Sequence, residues 1–282
     1  MSDGHVKIII ATLLFSINPL LFRLLELDAL NILWVVNLIA SFVLFLNILI
    51  QKRISIIFKN NRSALTLLFL GIFFTVNNIL FISSVKTTTI ANAVLTHYLA
   101  PIFVFILGIF LVNERLSRKP VIALILSATG LLIMLSPNEP SLANVHFLGL
   151  IFGTLSAIFF SMEILLKKRL TRSHPVDEIV IKYLIISVII LLPFISFEQI
   201  MSVDSIGLSI LLISGIIGSA IGISLFTSGL RDVKAQHAGI ISYIEPLGAI
   251  IWGLLIIMEL PAIETIIGGA LILLGTYIII KH

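Results

Sequence analysis

Two residues that can do chemistry lie side by side in the middle of a long apolar stretch in the second half of the chain. The stretch reads AGIISYIEPLGAIIWGLLIIM, and its centre holds Glu245 and Pro246. A charge at the centre of a membrane-spanning helix costs about 2.5–3.5 kcal/mol on insertion scales. Glu245 must therefore be neutral, be paired, or face water. It is either a carboxylate that binds protons or a solute amine, or a protonated carboxyl that bonds a neighbouring helix.

Other side chains that bind solutes or transfer protons lie in separate apolar stretches. His97 can bind a carboxylate or move protons near neutral pH, and the alternative is a core histidine that bonds a backbone carbonyl. With Glu245 it is our candidate for proton coupling. The remaining candidates for substrate binding are Asn18, Asn77, Asn78, Tyr98, Tyr243 and Trp252. For each of these the competing interpretation is interhelical hydrogen bonding or packing.

Two prolines are candidate hinges within the predicted helices. Pro101 and Pro246 lack a backbone N–H, so each must kink or loosen its helix. The carbonyls four residues earlier, those of His97 and Ser242, are then free to face a ligand. The alternative is a static bend, and both interpretations can hold at once.

The composition of the chain indicates that these residues lie in a membrane protein. The chain has 282 residues, of which 59% are hydrophobic and 11% are charged, whereas soluble domains carry about 25% charged residues. The sequence therefore predicts an integral membrane protein. The absence of cysteine excludes disulfides, thiol catalysis and cysteine metal sites.

The apolar runs predict ten membrane-spanning helices and leave no stretch for a soluble domain. A bilayer core of about 30 Å needs roughly 20 apolar helical residues. Runs of that size lie near 6–24, 29–51, 64–84, 89–112, 119–136, 145–166, 179–197, 206–230, 237–258 and 262–280. Barrel strands alternate polar and apolar residues, and these runs do not.

The basic residues predict the orientation of these spans. If the N-terminus lies inside, only Arg23 and Lys86 of the 18 Lys and Arg residues fall on outer segments. This bias predicts a protein of the bacterial cytoplasmic (inner) membrane with both termini cytoplasmic. It also explains the net charge of +4 without nucleic-acid binding.

The two halves of the sequence repeat at an offset of 145 residues. Tyr98 pairs with Tyr243 and Pro101 with Pro246, and the other matched positions include Gly108 with Gly253, Glu114 with Glu259 and Gly130 with Gly275. We expect a first repeat over 1–139 and a second over 140–282. Because five spans is an odd number, the second copy must enter the membrane inverted.

These paired motifs resemble the EamA branch of the drug/metabolite transporter superfamily. The resemblance rests on the ten-span layout, on Pro101 followed by Glu114-Arg115-Leu116, on Pro246 followed by Glu259, and on Gly130 and Gly275. The first span lacks the tryptophan-glycine start of many relatives, and Met258 stands where a glycine often precedes the acid. The resemblance implies a secondary transporter of small metabolites, often amino acids and often an exporter.

Two other function classes compete with transport by alternating access. An intramembrane lipid-modifying enzyme usually shows clustered acids or a Ser/His/Asp set, whereas the chain has no DxxD, HExxH or GxSxG motif. A channel usually assembles around an axis shared by several subunits, whereas this chain carries its own internal two-fold repeat. We therefore predict no enzyme activity, catalytic residue, metal or cofactor. The expected partners are a small-molecule solute, protons and membrane lipid, and the chain is expected to act as a monomer or homodimer.

Three other acidic residues are assigned structural tasks. Glu114 and Glu259 are expected to accept backbone N–H groups at the start of the following helix. Glu163 precedes Lys167 by four residues, which predicts a local ion pair on one helix. No arginine or lysine lies at mid-depth of a predicted span, so we expect amino acids, amines or nucleoside-like cations as solutes rather than anionic metabolites.

Overall fold

The computed structural model describes residues 2–58, 63–114, 117–135, 144–252 and 263–281. Within these ranges the chain is helical throughout and contains no strand, which confirms the all-α prediction. The motif residues Arg115, Leu116, Gly253, Met258 and Glu259 lie outside the described residues, so their predicted arrangement stays a prediction.

The described residues of the first half form eight helices. Their bounds are α1 Asp3–Phe15, α2 Asn18–Leu24, α3 Ala29–Ile50, α4 Ser55–Phe58, α5 Ala64–Thr87, α6 Ile90–His97, α7 Ala100–Leu111 and α8 Arg118–Leu135.

The second half continues with α9 to α16, a 3₁₀ turn at Leu192–Phe194 and a π-helical stretch at Ser214–Ile223. The bounds are α9 Asn144–Leu170, α10 Val176–Leu191, α11 Phe197–Met201, α12 Ser205–Ile213, α13 Ser224–Asp232, α14 Ala235–Ile241, α15 Ile244–Trp252 and α16 Ile263–Ile280.

Six described segments are long and apolar enough to cross a membrane. They are Asp3–Leu24, Ala29–Ile50, Ala64–Thr87, Asn92–Leu111, Phe147–Leu170 and Ser205–Asp232. A helix also occurs at each of the other four predicted positions, but these four do not meet the same criterion within the described residues. The structure therefore supports a membrane protein, and the count of ten crossings stays a prediction.

The helices break where the sequence predicted a kink. One break separates α6 from α7 just before Pro101, and another separates α14 from α15 just before Pro246. Proline fits the first turn of a helix, where its missing N–H is not needed. The carbonyl of Tyr98, at the first break, accepts a hydrogen bond from the Tyr243 hydroxyl at 3.1 Å. This bond links the two breaks directly.

Helix positions in the second half follow those of the first at the offset of 145. Adding 145 to the bounds of α8, residues 118 and 135, gives residues 263 and 280, which bound α16. These two helices pack against each other along their length. Gly130 and Gly275, which are equivalent at this offset, both lie at the contact, where a Cβ on either would collide with the partner helix. The inverted orientation of the two halves in a membrane stays a prediction.

Glu114 joins the two halves at the start of α14. Its carboxylate, 7% exposed, accepts the backbone N–H of Ala235 at 2.7 Å and that of Gln236 at 3.1 Å. The prediction of an acceptor for a helix start was right, but the helix is α14 and not α8, the next one along the chain. The reason is that Lys234, at the N-cap of α14, supplies no side-chain bond, so those N–H groups are open to a carboxylate from elsewhere.

The π-helical stretch lets two other elements approach its backbone closely. A Cβ on Gly218 would lie 2.9 Å from the Asn18 amide nitrogen, and one on Gly222 would lie 2.7 Å from the Phe15 ring. Wider π-helical turns inside α-helices occur often at functional sites. The stretch therefore forms one wall of the interior at Asn18.

Candidate functional site

A central cavity of about 100 Å³ lies between helices from both halves of the chain. Six phenylalanines line it, contributed by α1, α2, α5, α9 and α13. Its polar lining residues are Asn18, Asn77, Asn78, His97, Glu163, Lys167, Ser219 and Glu245. An apolar pocket with a few convergent polar groups is the usual form of a small-molecule site.

Five of the predicted site residues meet in this cavity. They are Asn18, Asn77, Asn78, His97 and Glu245. The first and the last of them are more than 200 positions apart in the sequence. Tyr98, Tyr243 and Trp252 are not among the residues that line it. The structure therefore brings together the amides, the histidine and the glutamate, and places the three other predicted aromatic residues elsewhere.

A buried ion pair on α9 forms a further wall of the cavity. The Lys167 ammonium bonds the Glu163 carboxylate at 2.5 Å, and the two side chains are 3% and 4% exposed. The second oxygen of Glu163 accepts a hydrogen bond from the Asn77 amide at 3.0 Å. The ammonium also lies over the Tyr183 ring, 4.8 Å from its centroid. The Asn77 amide and the Tyr183 ring thus add further contacts to the ion pair, as a buried charge requires.

The pair adds a charge that the sequence analysis did not place in the cavity. The local i, i+4 contact between Glu163 and Lys167 is confirmed, but its burial and its place in the cavity were missed. The expectation was that no arginine or lysine lies at mid-depth of a span, and Lys167 nevertheless lines the same cavity as Glu245. Lys167 is near the end of α9, and depth along a single helix does not show which way a long side chain points.

The sequence repeat contained a signal for these missed residues. Adding 145 to the positions of Asn18 and Phe22 gives Glu163 and Lys167, and all four line the cavity. Phe15 and Phe160 are related in the same way, and both also line it. A search of the repeat partner of the candidate Asn18 would have found Glu163, whose ion-pair partner is Lys167.

Glu245 contrasts with Glu163 because it contacts no cation. Within the part of the chain that the structure describes, no ion pair reaches its carboxylate. The Tyr98 hydroxyl lies beside it without a hydrogen bond of ordinary geometry. Glu245 is half-buried and lines the cavity. It is a carboxyl group available to a cation or proton that enters the cavity.

His97 is fixed by a serine and by aromatic rings. Its Nδ1 lies 2.8 Å from the Ser156 hydroxyl, and its ring packs on Phe81 and Phe160 at centroid distances of 4.4 and 4.9 Å. The partner is thus a hydroxyl, whereas the structural alternative predicted a backbone carbonyl. The ring is 6% exposed and still lines the cavity.

The three asparagines differ in what they bind. Asn77 donates to Glu163, and Asn78 donates to the Phe74 carbonyl of its own helix at 2.8 Å. The Asn18 amide oxygen is buried and has no hydrogen-bond partner within the described ranges. The Asn77 amide oxygen is likewise buried and without a partner there, so both Asn18 and Asn77 can accept a hydrogen bond from a ligand.

The predicted aromatic residues outside the cavity lining are used in packing. Tyr98 and Tyr243 lie in one apolar cluster, with their ring centroids 5.7 Å apart. The Trp252 indole donates to the Ser16 hydroxyl at 2.9 Å, at the break between α1 and α2. These contacts correspond to the packing interpretation, in which each polar atom finds a protein partner or stays buried.

The fold and the cavity define a class of protein: a helical membrane protein with a polar, partly charged cavity between its two halves. The chain belongs to the EamA-like transporter family, whose model matches residues 3–136 and 147–281. This confirms the resemblance to the drug/metabolite transporter superfamily that the motifs indicated.

Several curated relatives are named as transporters. An uncharacterized transporter of Archaeoglobus fulgidus is 34% identical over 76% of this chain and 75% of its own length. The uncharacterized transporter YxxF of Bacillus subtilis is 28% identical over 68% of this chain and 62% of its own. The pseudopaline exporter CntI of Pseudomonas aeruginosa is 25% identical over 66% of this chain and 64% of its own. The matched part thus spans less than two thirds of the last two proteins.

One solved crystal structure has the same fold. It superposes with a TM-score of 0.81 over 99% of this chain and 96% of its own, at 18% sequence identity. At this identity the likeness concerns the fold alone. The family model and the named relatives establish a transporter family.

Proposed function

We propose that the protein is a secondary active transporter that moves a small metabolite across the cytoplasmic membrane by alternating access. The observation that carries this proposal is the carboxyl group of Glu245, which forms no ion pair within the described residues and lines a cavity shared by both halves of an EamA-family chain. The two units that move against each other are residues 1–139 and 140–282, arranged as inverted five-helix repeats. In such transporters the substrate site lies between the repeats.

The charges of the cavity favour a solute that carries an amine. Glu163 is neutralised by Lys167, so Glu245 leaves the cavity with one negative charge when it is ionised. An amine, an amino acid or a proton would cancel that charge, and proton exchange at Glu245 would couple transport to the proton gradient. His97 is the second candidate for this transfer because it lines the same cavity.

The broken helices supply the parts that would move. The breaks before Pro101 and Pro246 lie on helices contributed by the two halves, and the Tyr243 hydroxyl joins them. Bending at these points would open the cavity first to one side and then to the other. Export is the direction we propose, and the relative CntI, which is named as an exporter, supports it.

Transport into sealed vesicles tests the proposal. Purified protein is first screened by thermal shift against a library of amines, amino acids and anionic metabolites, and each stabilising compound is then assayed for uptake. We expect saturable transport of an amine-bearing solute, and at least about a tenfold loss of rate, equivalent to 1.4 kcal/mol, in Glu245→Gln. The matched control is Glu198→Gln, because Glu198 is exposed on α11 and does not line the cavity.

Three results would overturn the proposal. Wild-type transport rate and pH dependence in Glu245→Gln would remove the coupling role of this residue. A current proportional to voltage, without saturation, would favour a channel. Covalent conversion of a lipid substrate without solute movement would favour an intramembrane enzyme.

A further inference from the structure

A second concave site lies at the end of the molecule formed by the turn between α9 and α10. It is an open depression of about 450 Å³ and is lined by Thr171, Arg172, Ser173, His174, Pro175 and Arg231. Arg172 and Arg231 are exposed. This pocket shares no residue with the central cavity and has no part in the proposed transport step.

The cations at this pocket are bonded to carbonyl groups and not to carboxylates. Arg172 donates to the Val112 carbonyl at 3.0 Å, and Arg231 donates to the Thr171 and His174 carbonyls at 3.4 and 3.2 Å. Lys168, beside them, donates to the Leu230 carbonyl at 2.7 Å. Within the described part of the chain, no carboxylate forms an ion pair with any of these three side chains.

The acidic residues of the same turn are already engaged with other bases. Asp177 pairs with Arg53 at 2.7 Å, and Glu178 pairs with Lys182 at 2.8 Å. His174 also contacts Glu178, at 3.7 Å. Among the residues that the structure describes, Asp177 and Glu178 therefore form no ion pair with the two pocket arginines.

We propose that this pocket binds the phosphate group of an anionic ligand between Arg172 and Arg231. Guanidinium groups offer several N–H donors in a plane, and carbonyl contacts hold these two side chains in place while leaving donors unused. The hydroxyls of Thr171 and Ser173 add polar lining. The excess of Lys and Arg on the predicted cytoplasmic segments places this end at the inner leaflet, where anionic lipid headgroups supply phosphate. Free phosphate is the other source of the same chemistry.

Titration of the purified full-length protein distinguishes the two sources. In one arm, phosphatidylglycerol or phosphatidylcholine is added to the protein in neutral detergent, and lipid binding is counted by native mass spectrometry. In the other arm, inorganic phosphate is added at constant ionic strength, and the thermal unfolding midpoint is recorded. Binding of phosphatidylglycerol without a response to phosphate assigns a lipid headgroup, and a response to both assigns a general phosphate site.

Three double variants decide whether the pocket arginines are responsible. In Arg172→Gln/Arg231→Gln we expect about tenfold to thirtyfold weaker binding of phosphatidylglycerol, as the loss of two surface cations implies. Arg172→Lys/Arg231→Lys keeps the charge and should retain most of the affinity. Lys52→Gln/Lys281→Gln removes the same net charge from exposed positions outside the pocket and should bind as the wild type does.

Two outcomes would overturn the proposal. Equal binding of phosphatidylglycerol by the two Gln variants would show that overall charge, and not the pocket, attracts the lipid. Phosphatidylcholine also carries a phosphate, but its choline cation cancels the charge. Equal binding of phosphatidylcholine and phosphatidylglycerol by the wild type, without any response to inorganic phosphate, would therefore show that the pocket does not select an anionic phosphate group. Either result leaves the transport proposal intact, because transport depends on Glu245 and the central cavity.

Discussion

The central cavity contains two glutamates in opposite electrostatic situations. Glu163 is held by the Lys167 ammonium at 2.5 Å and by the Asn77 amide at 3.0 Å. Glu245 lines the same cavity and meets no cation within the described residues. The fold supplies the partners of the Glu163 carboxylate, whereas the Glu245 carboxyl group is available to a ligand.

The difference shows how one cavity can combine a stable structure with a binding group. A buried charge that is fully paired keeps its position and offers little to a solute, because separating the pair is costly. A carboxyl group without a cationic partner destabilises the protein until a ligand binds it. Binding of a solute amine or a proton relieves this unfavourable free energy. We therefore expect substitutions of the paired group to reduce stability, and substitutions of the unpaired group to reduce transport.

The largest expected effect follows from removing the cation of the pair. Lys167→Met leaves Glu163 buried without its main partner, so we expect a loss of about 3–5 kcal/mol in the free energy of unfolding. The measurement is a reversible SDS titration of purified protein in mixed micelles. The double variant Glu163→Gln/Lys167→Met removes both charges and should recover much of this loss.

A small loss in Lys167→Met would contradict this prediction. It would mean that Glu163 is neutral or hydrated in the folded protein, so that the two glutamates of the cavity do not differ. The same titration of the double variant separates this case from a simple cavity effect, because the Lys-to-Met change in volume is present in both variants.

The Asn77 amide provides a smaller test of the same pair. Asn77→Leu removes one hydrogen bond to an ionised group. We therefore expect the free energy of unfolding to fall by about 1.5–3 kcal/mol, which is the contribution of such a bond. The matched control is Asn78→Leu, whose amide bonds only a carbonyl of its own helix at 2.8 Å. A larger loss in the control than in Asn77→Leu would show that Glu163 does not depend on the amide.

Glu245→Gln sharpens the comparison because the expected change in stability is close to zero. The substitution removes a carboxylate that has no protein cation to lose, so the free energy of unfolding should stay within about 1 kcal/mol of the wild type or increase. The same SDS titration measures it. A loss as large as that of Lys167→Met would reveal a cationic partner for Glu245.

The broad features of this architecture were predictable because they follow from composition and spacing. Apolar runs of bilayer length predicted a helical membrane protein, and Pro101 and Pro246 predicted the breaks. The acceptor role of Glu114 was predictable, but its partner helix was not. Contact between the ends of α7 and α14 depends on how distant segments pack, and a single sequence without measured contacts does not contain that information.

The cavity was predictable in its central residues and not in its balance of charge. Polar side chains inside apolar runs identified Glu245, His97 and the asparagines, because such residues are costly in lipid. Glu163 and Lys167 were assigned to a local pair, since the i, i+4 spacing gave a sufficient explanation. Spacing on one helix does not show which face is turned inward, and that face decided whether the pair belonged to the surface or to the cavity.

The last test concerns Tyr98 and Tyr243, which are equivalent at the offset of 145. The Tyr243 hydroxyl donates to the Tyr98 carbonyl at 3.1 Å, so Tyr243→Phe should reduce stability by about 0.5–1.5 kcal/mol. The Tyr98 hydroxyl lies beside Glu245 without such a bond, so Tyr98→Phe should change the free energy of unfolding by less than about 0.5 kcal/mol. Parallel SDS titrations of the two variants measure the difference. If Tyr98→Phe were the more destabilising, the Tyr98 hydroxyl would be a bonded partner of Glu245, and Glu245 would then resemble Glu163 in having its partner supplied by the fold.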